Sequence, residues 1–249
     1  MENKWRAGLG AMAVGGLLAL PLYPEPLAAR QPAPVLVELF TSQGCNSCPP
    51  ADAVLGELAG RPDVLALAFH VTYWDRLGWK DTLGDERFTA RQRDYARLLG
   101  RRQLYTPQAV VAGQLDLVGS SGGQLAKAVD TVAEHGEAKR VEIAADGTVV
   151  LPPSSDDEPA VVWAAAWDDL REVVIERGEN GGRTIAYHNA VRWLEPLGSP
   201  GDARLAVPLD ELRRAGRSGV AVVVQRASDG KVLALGQLRL TPPAAVPPA

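Results

Sequence analysis

The sequence predicts a mixed α/β domain followed by a mostly antiparallel β domain. Three observations predict it. A strand–helix–strand unit with short links begins near Val35. Apolar segments of helical length end near Ala138, and the apolar segments beyond it are mostly short and strand-like, with turn residues between them. The only two cysteines of the 249-residue chain, Cys45 and Cys48, stand in the first turn of the opening unit.

Residues 1–29 read as a secretory signal peptide. Lys4 and Arg6 precede an uncharged run from Ala7 to Leu22, and small residues follow at Ala28 and Ala29. The run is short for a membrane span, so no stable span is expected after cleavage and the expected location is periplasmic or secreted. What remains is long enough for a substantial core. A net charge of −4, with both signs scattered, argues against nucleic acid as a partner.

The elements follow in order. Val35 to Phe40 is an apolar, partly β-branched run, read as a buried strand. The polar turn Thr41-Ser42-Gln43-Gly44 and the Cys45-Asn46-Ser47-Cys48 motif come next, then a helix from Pro49 to Ala59. Val54, Leu55 and Leu58 share one face of that helix, and Gly60 with Pro62 ends it. Val64 to Val71 is a second buried strand, which makes a right-handed βαβ unit with parallel strands. A loop rich in aromatic and charged residues runs from Thr72 to Gly84, and a helix from Asp85 to Leu99. A hairpin turns at Gly113, and a helix spans Gly122 to His135 with Leu125, Val129 and Val132 inward. After the boundary near Ala138 come strand-like segments around 141–143, 161–166, 172–176, 184–194, 220–225 and 232–240. The expected organisation is therefore a first domain over 33–137, a second over 138–240, and a disordered Pro/Ala-rich tail over 241–249.

The chemistry begins with the cysteines. Any disulfide within this chain must join Cys45 to Cys48, and a ring so short adds little stability. An exposed pair of this kind suits opening and closing, soft-metal binding, or an inert oxidised turn. A strand that ends in a turn with CxxC at a helix start is the first half of a thioredoxin-like site. A helix N-terminus favours a thiolate, so Cys45 is the expected attacking sulfur and Cys48 the resolving one beneath it. The fold class expected is thus an α/β thioredoxin-like domain followed by a mostly antiparallel β-sandwich-like domain. In such folds a cis proline enters the equivalent hairpin strand beside the cysteines. The order of elements puts Thr106-Pro107 there, with Pro107 orienting and Thr106 at the substrate edge.

The segments 37–52, 69–75, 78–81, 88–92 and 105–108, with Gly178 to Thr184 and Tyr187-His188-Asn189, resemble one bacterial family from about Val35 to Leu240. That family comprises secreted thioredoxin-like proteins catalogued as a domain of unknown function. The resemblance implies the fold and export, and it implies no established reaction. Two features depart from ordinary thioredoxins. Asn46-Ser47 brings no charge to tune the pair, and Pro49-Pro50 crowds the helix start, which weakens the dipole argument for Cys45.

Glu38 is a carboxylate in an otherwise apolar strand, seven residues before Cys45. Thioredoxins resemble this in carrying a buried acid on the same strand, so Glu38 is the expected proton acceptor for Cys48; an outward or arginine-paired Glu is the alternative. Tyr73, Trp74 and Trp79 lie in the loop after the second parallel strand, on the cysteine side of the sheet. They either wall a substrate groove or cap an apolar patch. His70 reads as a hydrogen-bonded residue at a strand end. Arg177, Glu179, Asn180, Arg183, Tyr187, His188, Asn189 and Arg192 read as a polar seam between domains or a ligand site.

Three functions stay open. The first is thiol–disulfide exchange with protein thiols, disulfides or a redox partner protein, with no cofactor. The second is Cu(I) binding by the two thiolates with His70 or another nearby ligand. The third is a non-catalytic binding module.

Overall fold

The computed structural model describes residues 33–136, 138–153 and 158–241; the leader of residues 1–29 and the tail beyond Thr241 lie outside them. Strand β1 (Val35–Thr41), helix α1 (Pro49–Ala59) and strand β2 (Val64–His70) form the opening unit, with β1 and β2 parallel from Val35↔Val64 to Thr41↔His70. A short 3₁₀ turn, Asp75–Leu77, lies in the next loop, before helix α2 (Glu86–Leu98). Hairpin β3 (Gln108–Val111) and β4 (Leu115–Val118) follows, and then helix α3 (Gly122–His135). Six of these seven main elements match the expected segments to within one residue. The exception, β3, starts only at Gln108, because the Thr106-Pro107 segment lies outside the ladder.

Alternation along β1 sorts its side chains between two cores. Val35, Val37 and Leu39 pack with Leu55 and Leu58 of α1 and Leu125 and Val129 of α3. Leu36 and Phe40 point the other way, toward Phe88 and Tyr95 of α2. Ala51, Asp52, Leu55 and Leu58 form the buried stripe of α1, while Val54 is half-buried.

The second half differs from the separate sandwich expected of it. Its principal strands are β8 (Ala160–Ile175), β9 (Arg183–Gly198), β10 (Gly219–Arg226) and β11 (Val232–Arg239). With the short β5 (Lys139–Arg140) they extend the first sheet, giving nine strands in the order β4-β3-β1-β2-β9-β8-β10-β11-β5. The join is a parallel contact between β2 and β9 at Ala68↔Ala190. Trp163, Trp167, Val191, Ala221, Val223 and Leu235 share one core with Leu36, Phe40, Phe69, Phe88 and Tyr95. The opposite face of β8 and β10 carries a further core with Leu205, Val207, Leu209 and Leu212, the last two on α4 (Leu209–Arg214). The small pair β6 (Glu142–Ile143) and β7 (Val149–Val150) forms the second sheet. These strands are apolar on both faces, so they must be covered twice. The first half supplies one of the covers, and the boundary near Ala138 is a change of composition inside one sheet.

A second joint confirms the continuity. Gly113 (φ +76°) turns the β3–β4 hairpin directly against the β10–β11 turn, where a Cβ would stand 1.9 Å from the Gly230 carbonyl oxygen. Beside it the Val232 amide donates to the Ala112 carbonyl at 3.1 Å.

Candidate functional site

Thr41 ends β1, and the chain turns at once. The Cys45 amide donates to the Ser42 carbonyl at 3.1 Å and the Cys48 amide to the Cys45 carbonyl at 3.2 Å. Cys48 is the N-cap of α1, with Pro49 and Pro50 at its first two positions. Their lack of an N–H removes two of the donors a helix start normally leaves open. The Ala51 and Asp52 amides both go to the Cys48 carbonyl, at 2.8 and 3.1 Å. The expected amide support for a Cys45 thiolate is therefore missing. Hydroxyls stand in for it: Thr106 Oγ1 and Ser47 Oγ each lie 3.3 Å from Cys45 Sγ.

Cys45 and Cys48 are joined as a disulfide. The expected exposure of Cys45 is corrected here, because Cys45 is 1 % and Cys48 0 % exposed, while Asn46 and Ser47 stand in solvent. Two structures cover the sulfurs. Thr106, preceding the cis-Pro107, lies against Cys45 and accepts a 2.8 Å bond from Trp74 Nε1. The tip of the β8–β9 hairpin reaches back over the turn. There Asn180 Nδ2 donates to the carbonyls of Gln43 and Cys45, both at 2.9 Å, and Glu179 Oε2 accepts from the Asn46 amide at 3.3 Å.

The aromatic loop is tied to the same turn. Gln43 Oε1 accepts from Trp79 Nε1 at 2.8 Å, and the Gln43 amide donates to Asp81 Oδ2 at 2.8 Å. Tyr73 stacks near Trp74 at 6.0 Å between ring centroids, and both are half-buried against the α2-side core. The structure thus brings together Cys45, Cys48, Thr106, Pro107, Trp74 and Trp79, with Tyr73 at the margin.

Glu38 is not brought there. It points to the α2 side of the sheet, opposite α1. Arg91 grips it at 2.6 Å (Nε to Oε1) and 3.0 Å (to Oε2), and the Tyr95 hydroxyl bonds Oε2. Gln225 Nε2 donates to Tyr95 at 2.9 Å, and Trp163 lies 3.8 Å from the Arg91 guanidinium. Both oxygens are occupied, so the arginine-paired alternative holds and the expected proton role for Cys48 is corrected.

On the cysteine side a different set of buried polar groups appears. His70 Nδ1 lies 2.9 Å from Asp81 Oδ2. Burial pushes Asp81 up, but the imidazole and the Gln43 and Leu83 amides outweigh it and hold the carboxyl below the usual range. An ionised Asp81 can only accept, so Nδ1 carries the proton. Around this pair, Thr41 Oγ1, both Asp52 oxygens, His70 Nε2 and the Tyr187 hydroxyl are buried without a hydrogen-bond partner among the described residues. Burial raises Asp52 to about 7 against the opposing effects of His70 and Thr41, whose hydroxyl is near but outside bonding geometry. Burial likewise pushes the Tyr187 phenol up.

Sequence reasoning missed Asp52, Gln43, Asp81 and the particular role of Asn180. Asp52 left a signal: it is four residues after Cys48 and three before Leu55, on the inward stripe of a helix. Asn180 left none, since its contact spans 135 residues of sequence. No group of three or more His, Cys, Asp or Glu side chains among the described residues is arranged to hold a metal ion. A cavity of about 690 Å³, lined by Val35, Leu36, Ala112 and Val232, lies at the far end of β1 from the cysteines.

Comparison with solved structures finds protein AGR_C_4864 from Agrobacterium tumefaciens at 29 % identity and a TM-score of 0.69, covering 89 % of this chain and all of that one. HBP35 of Porphyromonas gingivalis is similar in fold alone, at 13 % identity and a TM-score of 0.51, covering 88 % of this chain and 79 % of that one. No curated protein matches the sequence. The model of a protein family of unknown function, DUF1223, matches residues 36–225, so the chain, with its buried Cys45–Cys48 pair, belongs to that family.

Proposed function

We propose that this is a secreted or periplasmic protein of thioredoxin-like type that exchanges disulfides with protein partners through Cys45 and Cys48. The observation that carries the reading is the Cys45–Cys48 disulfide at the start of α1, with the Thr106 hydroxyl 3.3 Å from Cys45 Sγ. The signal-like leader supports it, because an exported pair meets oxidising conditions. In one direction a partner thiolate attacks Cys45 Sγ. The Cys45–Cys48 bond breaks, a mixed disulfide forms on Cys45, and Cys48 leaves as a thiolate. A second thiolate of the same partner then attacks the mixed disulfide, releasing an oxidised partner and a reduced Cys45. Two electrons pass from the partner dithiol to the pair, and the reverse sequence oxidises the protein.

Cys45 is assigned the attacked sulfur because its Sγ is the one that the hydroxyls of Thr106 and the exposed Ser47 approach, each at 3.3 Å. Cys48, under the helix start, is the resolving sulfur. Tyr73, Trp74 and Trp79 flank the approach, and Pro107 fixes the backbone that carries Thr106. Because Cys45 is covered, a partner must displace the Trp74–Thr106 contact or the Asn180 tip to reach it.

Replacing Cys48 with Ser tests the scheme in the native host. The variant is expected to accumulate mixed disulfides on Cys45, and Cys45→Ser none. Equal trapping by both variants overturns the assignment. Stoichiometric Cu(I) on the reduced protein, lost equally by both variants, points to metal binding instead.

A further inference from the structure

Asp52 makes an unusual demand on the fold. It sits one turn below Cys48 on α1, its amide bonded to the Cys48 carbonyl at 3.1 Å, and both residues are fully buried. An acid in a first helical turn ordinarily accepts from free amides there, which is a structural role. Asp52 does not: neither carboxyl oxygen has a hydrogen-bond partner among the described residues. Leaving a buried carboxyl unpaired costs several kcal/mol if it is charged. An apolar residue at this position would continue the stripe of Ala51, Leu55 and Leu58 without that cost.

The surroundings are polar in a specific way. Thr41 and His70 are direct partners across the parallel β1–β2 ladder, and Tyr187 of β9 packs edge-on to His70 at 4.7 Å between ring centroids. Each presents an unpartnered buried atom, namely Thr41 Oγ1, His70 Nε2 and Tyr187 Oη. The charge of Asp81 keeps a His70 proton on Nδ1, and Nε2 is turned to the other side of the ring without a partner among the described residues. The titratable groups facing Asp52 are His70 from β2, Asp81 from the following loop, and Tyr187 from β9, with Arg183 acting on Tyr187 from the same strand. His188 of β9 lies against Gly56, one further turn along α1. Among the described residues, no arginine or lysine is bonded to Asp52 as Arg91 is to Glu38.

We propose that Asp52 is the proton partner of Cys48, giving a proton to Cys48 Sγ when the Cys45–Cys48 bond is reduced and taking it back when the bond re-forms. This rests on the exchange reading above and makes that exchange pH-dependent. On reduction the S–S bond breaks, Cys48 leaves with the electron pair, and the carboxyl proton moves to it, leaving Asp52 ionised. In the reverse step the Asp52 carboxylate removes the Cys48 proton as Cys48 attacks the mixed disulfide on Cys45, and the partner departs as a thiolate. Burial holds the carboxyl near pH 7, where one group serves as both acid and base. Thr41, His70 and Tyr187 are positioning residues that keep its surroundings polar enough to ionise.

The test reads the carboxyl directly. The full chain is labelled with carboxyl-¹³C aspartate, and Asp52 is assigned by comparison with Asp52→Asn. Its titration is then followed by NMR in the oxidised protein and after reduction with dithiothreitol. The expected result is a titration near pH 7 in the oxidised form that changes measurably on reduction, because the sulfur and the carboxyl then share a proton. Identical titrations in the two states overturn the proposal. In parallel, the rate at which Cys48 clears a preformed mixed disulfide from Cys45 should rise through about pH 7 in the wild type. In Asp52→Asn it should be about tenfold slower or more, without that inflection. An unchanged profile in the variant also overturns the proposal. Should the carboxyl shift on reduction while no protein dithiol is oxidised at any pH, the exchange reading falls and the proton link stands.

Discussion

Two buried carboxyls lie on opposite faces of the same pair of strands, and the fold treats them in opposite ways. Glu38 is held by Arg91 and Tyr95, and through Tyr95 and Gln225 it connects to Trp163 of the second half. Asp52 has no such partner, and around it Thr41, His70 and Tyr187 also keep atoms unpaired. A satisfied buried ion pair anchors packing, because breaking it strands a charge in the core. An unsatisfied carboxyl instead keeps an accessible proton equilibrium, at a cost in stability. The first centre fastens the two halves of the sheet. The second lies one helical turn along α1 from Cys48, beside buried groups that have no partner among the described residues.

The same isosteric change at both sites puts this contrast at risk. Glu38→Gln removes the charge that Arg91 needs and should destabilise the protein by about 3–5 kcal/mol in denaturant unfolding. It should leave the pH profile of disulfide exchange intact; a lost inflection in this variant would return the proton role to Glu38. Asp52→Asn should act in the other direction above neutral pH. The folded-state carboxyl is raised to about 7, above its ordinary 3.8, so between those values the folded state binds the proton more tightly than the unfolded one. The wild type therefore loses stability as the pH climbs from about 4 to about 7, by at most about 4 kcal/mol. The variant should lack this loss, and parallel stability curves for the two proteins across that window would contradict it.

A smaller effect is expected at the hairpin tip. Asn180→Ala removes the side-chain donor shared by the Gln43 and Cys45 carbonyls, the second of which keeps its bond from the Cys48 amide, and should cost about 1–3 kcal/mol. It should also speed reduction of the disulfide by a small thiol, since it uncovers Cys45; a slower or unchanged rate would mean that the tip is no barrier. The smallest effect belongs to Glu195→Ala. Its bond to Arg87 (2.7 Å) joins two well-exposed side chains, so a change in stability of no more than about 1 kcal/mol is expected. A larger loss would show that surface pairs, too, fasten the halves.

What could be read from the sequence follows the range of the interactions. The βαβ unit, the helices after it and the hairpin are set by local periodicity and by Gly and Pro punctuation, and they appear where those signals lie. The cysteine pairing is determined by composition alone, because no third cysteine exists. Thr106-Pro107 could be assigned to the site from the order of elements. The division into two domains misled, since β8 and β10 are apolar on both faces and local pattern does not say what covers the second face.

The sequence by itself therefore determined which residues form the first elements and that Cys45 and Cys48 are the only sulfurs able to pair. Tertiary structure decided which buried acid has a partner. Glu38 meets Arg91 across 53 residues and Gln225 adjoins Tyr95 across 130, whereas Asp52 meets neither an arginine nor a lysine. It also decided that Cys45 is covered, by a hairpin tip 135 residues away. The physical reason is common to both. Burial and pairing of a polar group depend on which distant surfaces close over it, and that is settled only when the sheet has assembled.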